Sequence, residues 1–259
     1  MSTTTIASID GPIATFTFNR PEARNALTWE MYDALVAACD RVDADRSVRV
    51  FVIKGSGGSF SAGTDIALFK DLRTREDALA YERRLDAAIE RVERVAVATI
   101  AQVDGVAAGG GCAIALACDL RVCSADAKFG VPIARTLGNT LSASNLSKIL
   151  ELIGPAALRD VLFSGRLIDA TEARTLGLVT RMADSGNIDA VTRELADTIA
   201  SNAPLTIRAI KEGVRRILAS RRLERTATDD LIAACYTSED FRNAVAAFLE
   251  KRRPSFTGQ

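Results

Sequence analysis

Hydrophobic and polar positions along the first half of the chain switch repeatedly between strict alternation and helical spacing. Residues 5–10 and 13–19 alternate on either side of Gly11-Pro12, which predicts a hairpin. Thr28 stands where it can cap a helix carrying Met31, Leu35, Ala38 and Val42 on one face. Residues 48–54 are rich in β-branched side chains and predict a strand, with a loop over 55–61. Between 75 and 94, Ala78, Tyr81, Leu85, Ile89 and Val92 recur at helical spacing. The charges between them, Glu82 and Asp86 included, are expected on a solvated face. Residues 95–103 read as a buried strand, 105–111 as a flexible glycine turn, 112–118 as a short apolar helix and 120–124 as a further strand.

Helices dominate the second half. Asp169 and Glu172 fit a capping box, and 178–182 reads as a brief strand. Pro204 suits the first turn of a helix reaching about residue 220. Ser238 is placed to cap a last helix through Phe241, Val245, Phe248 and Leu249. The sequence has no long linker and no low-complexity stretch. A division near Asn202 separates a core, 1–202, from a helical, charge-rich tail, 203–259.

Composition narrows the function classes. The 259 residues, 48% apolar and 25% charged, suit one full domain with an ample core. Lys+Arg and Asp+Glu balance at 33 each, so no net positive field recruits nucleic acid or acidic membranes. Histidine is absent, which removes the commonest general base and the commonest metal ligand, and no metal is expected. Cysteines 39, 112, 118, 123 and 235 form no CxxC pair and read as reduced core thiols, implying a cytoplasmic location. Residues 1–10 lack the features of a signal peptide, and the apolar run 105–118 is too short to span a bilayer.

Three segments carry candidate chemistry. They are Asn19-Arg20-Pro21-Glu22-Ala23-Arg24-Asn25-Ala26-Leu27, Phe60-Ser61-Ala62-Gly63-Thr64-Asp65-Ile66, and Asp104-Gly105-Val106-Ala107-Ala108-Gly109-Gly110-Gly111-Cys112, continuing to Ala117-Cys118-Asp119. The glycine run lets a ligand approach the backbone closely, and N–H groups at a helix start, aided by the helix dipole, are donors for a developing negative charge. Each segment resembles a motif of the enoyl-CoA hydratase/isomerase (crotonase) superfamily, in family order and spacing. Weaker similarity runs through 129–132 and 165–181 to 248–256.

The resemblance implies an α/β fold, a spiral of ββα repeats, with C-terminal helices that assemble trimers, often paired into hexamers. It implies an acyl-CoA substrate, with coenzyme A part of that substrate and no separate cofactor. It also implies an oxyanion hole, made by the backbone N–H groups of Thr64 and Gly110, that stabilises a thioester enolate. Ala23, Arg24, Ala62, Asp65 and Ile66 match the family's CoA-binding backbone. Arg24 is either a phosphate contact or an ordinary surface arginine. Phe248 matches an acyl-chain or interface aromatic, and Lys251 a lysine that reaches CoA from a neighbouring subunit.

The chain departs from the family's hydratases at two positions where they carry glutamate. The first falls at Ala113. The second falls at Ile133, or at Ala134 because the stretch after Pro132 holds one extra residue. Hydration needs one group to activate water and another to handle the α-carbon proton, so classical enoyl-CoA hydration is not expected. Arg135, Asn139, Ser142 and Ser144 follow the second lost position, but none is a good base at neutral pH. Cys112, beside the first, reads as a packed thiol. Glu82 and Asp86 would serve only if their helix closes over the site. The reading is an acyl-CoA lyase, isomerase or hydrolase of this superfamily; the alternative is a non-catalytic CoA-binding relative with a regulatory or assembly role.

Overall fold

In a computed structural model, residues 3–184 and 186–259 are described. The opening alternation forms a hairpin in which β1 (Thr5–Asp10) pairs antiparallel with β2 (Ile13–Phe18). Helix α1 (Trp29–Ala44) follows, with the Thr28 hydroxyl accepting from the Met31 N–H and with Met31, Leu35, Ala38 and Val42 buried as spaced. Then come β3 (Val50–Gly55), α2 (Arg75–Glu93), β4 (Ala98–Val103), β5 (Val106–Ala108), α3 (Gly109–Ala117) and β6 (Leu120–Ser124). Next are β7 (Lys128–Gly130), α4 (Ile133–Thr136), α5 (Ala143–Ser164), β8 (Ile168–Asp169), α6 (Ala170–Thr175), β9 (Arg181–Ala183) and α7 (Ile188–Ser201). Helices α8 (Pro204–Ala219), α9 (Asp229–Tyr236) and α10 (Glu239–Leu249) close the chain.

Two sheets organise these elements. Six strands run in the order β1-β2-β3-β4-β6-β9, parallel from β2 onward, and three more pair as β5-β7-β8. All six residues of β4 are buried, as expected of an apolar strand covered on both faces between two parallel neighbours. The main core gathers the inner faces of α1, α2 and α3 against this sheet, and α7 packs on its other side.

Four expectations change. The glycine run is not a flexible turn: Val106–Ala108 pairs with β7, and Gly109 already opens α3. Residues 178 and 179 do not reach the sheet, because their N–H groups close the end of α6 on the Ala173 carbonyl. The box at Asp169 is half-formed, since Asp169 accepts from the Glu172 N–H while the Glu172 carboxylate turns to Arg166. The fourth concerns α2. Its start is fixed by a reciprocal box between Thr74 and Asp77, and Glu82 and Asp86 are buried, not solvated, with relative exposures of 3% and 8%. The N-terminus of α5 and helix α9 cover that side of α2. The five cysteines are unpaired. Among the described residues no helix is long and apolar enough to cross a membrane.

Candidate functional site

Backbone hydrogen bonds stitch the three sequence motifs into one wall. Leu27 N–H donates to the Gly63 carbonyl at 2.8 Å, Asp65 N–H to Leu27 at 2.9 Å and Ala62 N–H to Arg24 at 2.9 Å. The same loop pairs onward with β5, Ser61 N–H donating to Val106 at 3.0 Å and Ala108 N–H to Ser61 at 2.9 Å. Asn25 anchors the assembly. Fully buried at a φ of 55°, it donates through Nδ2 to the Ser56 and Ser59 carbonyls and accepts the Arg20 N–H through Oδ1. Asn is among the few non-glycine residues that tolerate this left-handed backbone.

That wall brings Thr64 beside the start of α3. A Cβ added at Gly110 would lie 2.2 Å from the Tyr32 hydroxyl, 2.8 Å from Thr64 Oγ1 and 3.6 Å from Thr64 N, so only glycine permits this approach. The Tyr32 hydroxyl and Thr64 Oγ1 share a 2.9 Å hydrogen bond beneath the contact. As the second residue of α3, Gly110 lacks an intrahelical acceptor for its N–H, and the cap residue Ala108 supplies no side-chain bond. Two backbone donors thus lie close together at the positive end of a helix dipole.

Both residues line a cavity of about 390 Å³. Ala23, Arg24, Ala62, Asp65, Ile66 and Phe248 line it too, so all but one of the residues that the resemblance assigns to the oxyanion hole and to CoA converge there. The exception is Lys251, which lies just past α10, exposed, at a φ of 56°, away from the cavity of its own chain. Arg24 is exposed at the rim, and Phe248 is half-exposed there. Burial works to raise the Asp65 pKa, but the Arg20 guanidinium at 2.5 Å and the Ala67 N–H hold it below the usual range. A larger groove, about 620 Å³, runs between α8 and the α3–α5 side; it contains neither Thr64 nor Gly110, so size does not select the site.

The cavity also holds a carboxyl group that the sequence pattern assigns to the solvent. Glu82 lines the cavity. Its Oε1 accepts from the Tyr236 hydroxyl, which in turn accepts from Asn139 Nδ2 at 2.9 Å. Among the described residues Glu82 Oε2 and Asn139 Oδ1 have no hydrogen-bond partner. Aromatic rings enclose the group: Tyr81 packs 5.4 Å from Trp29, 5.0 Å from Phe69 and 6.0 Å from Tyr236, centroid to centroid. Burial pushes the Glu82 carboxyl up to about 8; the Tyr236 hydroxyl pulls it down in part, and the neighbouring Asp86 raises it further. The nearby Ser142 N–H offsets this slightly. Asp86 itself faces away from the cavity, where its Oδ1 accepts from Ser142 Oγ at 2.8 Å and Asn145 Nδ2 at 2.9 Å.

Comparison with known proteins agrees with this architecture. The family model described as enoyl-CoA hydratase/isomerase matches residues 8–259. A probable enoyl-CoA hydratase of Mycobacterium bovis is 32% identical over 98% of this chain and 98% of its own. A putative enoyl-CoA hydratase of Thermus thermophilus is 36% identical over 95% of this chain and 98% of its own. The chain belongs to the enoyl-CoA hydratase/isomerase family. Among solved structures, an enoyl-CoA hydratase/carnitine racemase from Magnetospirillum magneticum superposes with a TM-score of 0.81 at 34% identity, covering 100% of this chain and 97% of its own. A methylmalonyl-CoA decarboxylase shares the fold, with a TM-score of 0.90 at 24% identity and all of both chains covered.

Within the family frame, the two departures now have places. Ala113 is buried within α3, and Ile133 opens α4 and lines the cavity. Ala134 is exposed and away from it, so Ile133 is the position that meets the site. Of Arg135, Asn139, Ser142 and Ser144, Asn139 alone lines the cavity. Arg135 is exposed, Ser142 caps α5, and Ser144 Oγ accepts from Lys148 Nζ. Cys112 is buried and its thiol is raised to about 12, so it packs and does not act as a nucleophile. The sequence carried one overlooked signal for Glu82. Ala78, Glu82, Leu85 and Ile89 lie at heptad-like spacing, which sets a carboxylate inside the apolar stripe. Tyr236 gave none, because 154 residues separate it from Glu82.

Proposed function

We propose that this protein is an acyl-CoA enzyme that stabilises a thioester enolate and does not perform classical enoyl-CoA hydration. One observation carries the reading: Thr64 and Gly110 lie together on the wall of a cavity that apolar Ile133 also lines, while Ala113 is buried in the helix that Gly110 helps to open. Donors fixed where an oxyanion forms are the largest single source of rate in such chemistry, and they serve any reaction that passes through an enolate. The CoA portion enters past Ala23, Arg24, Ala62, Asp65 and Ile66, with Arg24 free at the rim to meet a phosphate. Phe248 borders the acyl end, and Lys251 serves a neighbouring subunit. The exposed apolar residues Ile210, Val214 and Ile217 on one face of α8 support assembly into trimers or hexamers. Five unpaired cysteines fit a reducing cytoplasm.

The test pairs two substrates. Incubated with butyryl-CoA in deuterium oxide, the protein should exchange α-protons, because an enolate forms and is reprotonated. With crotonyl-CoA it should hydrate weakly or not at all, since each lost acid–base group removes about 10²–10⁴-fold. Hydration at an ordinary enzymatic rate, about 10 per second, would sink the reading. Tight acyl-CoA binding without exchange of any thioester would favour the non-catalytic alternative.

A further inference from the structure

We infer that Glu82, delivered by α2 from outside the family's glutamate positions, is the proton-transfer base of this site. Tyr236 and Asn139 position it, and the reaction it serves is the shift of a double bond within a 3-enoyl-CoA. The inference rests on the acyl-CoA reading above. Its ground is geometric. Among the described residues only two carboxylates line the cavity, and Asp65 is engaged by Arg20 and the Ala67 N–H. Asn139 donates to Tyr236 and Tyr236 to Glu82 Oε1, while Oε2 is buried without a hydrogen-bond partner among the described residues. A buried carboxyl group carries a desolvation cost, and a structural role would satisfy both of its oxygens.

A single base with one free oxygen suits a reaction in which one proton leaves and returns. The Glu82 carboxylate removes a proton from the carbon next to the thioester carbonyl. The C–H electron pair becomes a carbon–carbon π bond as the carbonyl pair moves onto oxygen, giving a dienolate held by the Thr64 and Gly110 N–H groups. When the carbonyl re-forms, the γ-carbon takes the same proton back from Glu82 and the double bond lies conjugated to the thioester. Nothing is gained or lost overall. Apolar Ile133, Leu85, Leu137 and Leu141 around the cavity keep the chain close and offer no second base to activate water.

The ionisable groups facing Glu82 are Tyr236 from α9, Tyr32 from α1, and Tyr81 and Asp86 from its own helix. The three tyrosines are held neutral by burial, and Asp86 in turn faces Lys148 and Arg225. The reaction starts from the carboxylate, so kcat/KM should rise with pH along a single limb centred near 8.

The experiment follows conversion of trans-3-hexenoyl-CoA to its conjugated isomer, alongside binding of hexanoyl-CoA. E82Q should lower kcat/KM by about 10²-fold or more with hexanoyl-CoA binding intact. Y236F removes a hydrogen bond to the carboxylate and should move the pH limb upward, a displacement that a merely structural tyrosine would not cause. Wild-type protein that binds hexanoyl-CoA but does not convert the 3-enoyl ester overturns the inference, as does E82Q at the wild-type rate. Wild-type protein that binds no acyl-CoA overturns the acyl-CoA reading instead.

Discussion

At the scale of single residues, Glu82 couples chemistry to stability. Its carboxyl moves from the ordinary 4.5 to about 8 on folding, with burial as the main cause. Between those values the native state holds a proton that the unfolded chain has released. The stabilisation is therefore complete below about 4.5 and is lost as pH rises through about 8, with a slope of at most about 1.4 kcal/mol per pH unit. E82Q has no such proton to lose. Urea titrations at pH 5 and pH 9 should find it close to wild type at the acid end and more stable at the alkaline end. Parallel loss of stability in both proteins would mean that Glu82 is not held protonated. The charges along α2 point to a solvated face for Glu82, and neither its burial nor its protonation could be read from them, because both depend on rings from α1 and α9 that the chain brings together from afar.

At the scale of elements, α2 sets the site's precision. Thr74 and Asp77 fix its first turn by exchanging side-chain and backbone hydrogen bonds. Arg84 and Arg91 tie its outer face to α1 through Asp33, Asp40 and Asp43. Exposed pairs of this kind add little individually, so the cap and the buried stripe dominate. T74A should cost about 0.5–2 kcal/mol in a denaturant titration. Glu82 sits two turns further in, so proton transfer in T74A should be unchanged; a lost rate there would indicate that the cap and the base move as one unit. Existence and type of α1, α2, α8 and α10 were written in their caps and spacing. The glycine run was misread because glycine signals both a turn and a close backbone approach, and only the neighbouring Thr64 and Tyr32 decide between them.

At the scale of the whole molecule, the terminal helices play two parts. Helix α9 contributes Tyr236 and α10 borders the cavity with Phe248, whereas α8 has no fully buried residue and leaves an apolar face outward. Contiguous exposed apolar surface of this kind marks a contact. Light scattering coupled to size-exclusion chromatography should give a trimer or hexamer for wild type and a smaller species for I210E/I217E. A wild-type monomer would remove the subunit contact and with it the role proposed for Lys251.

The sequence by itself determined the family, the alternation of strand and helix and the motifs that bring Thr64 beside Gly110, because these reside in contiguous segments whose backbone conformation is local. It also set apolar residues at Ala113 and Ile133. Tertiary structure alone decided what surrounds Glu82. Whether a carboxylate on an amphipathic helix meets water or a closed cavity depends on which elements cover that helix. Here α9, the start of α5 and an aromatic cluster do so, and they turn Glu82 from an expected surface charge into a buried acid lining the same cavity as Thr64 and Gly110.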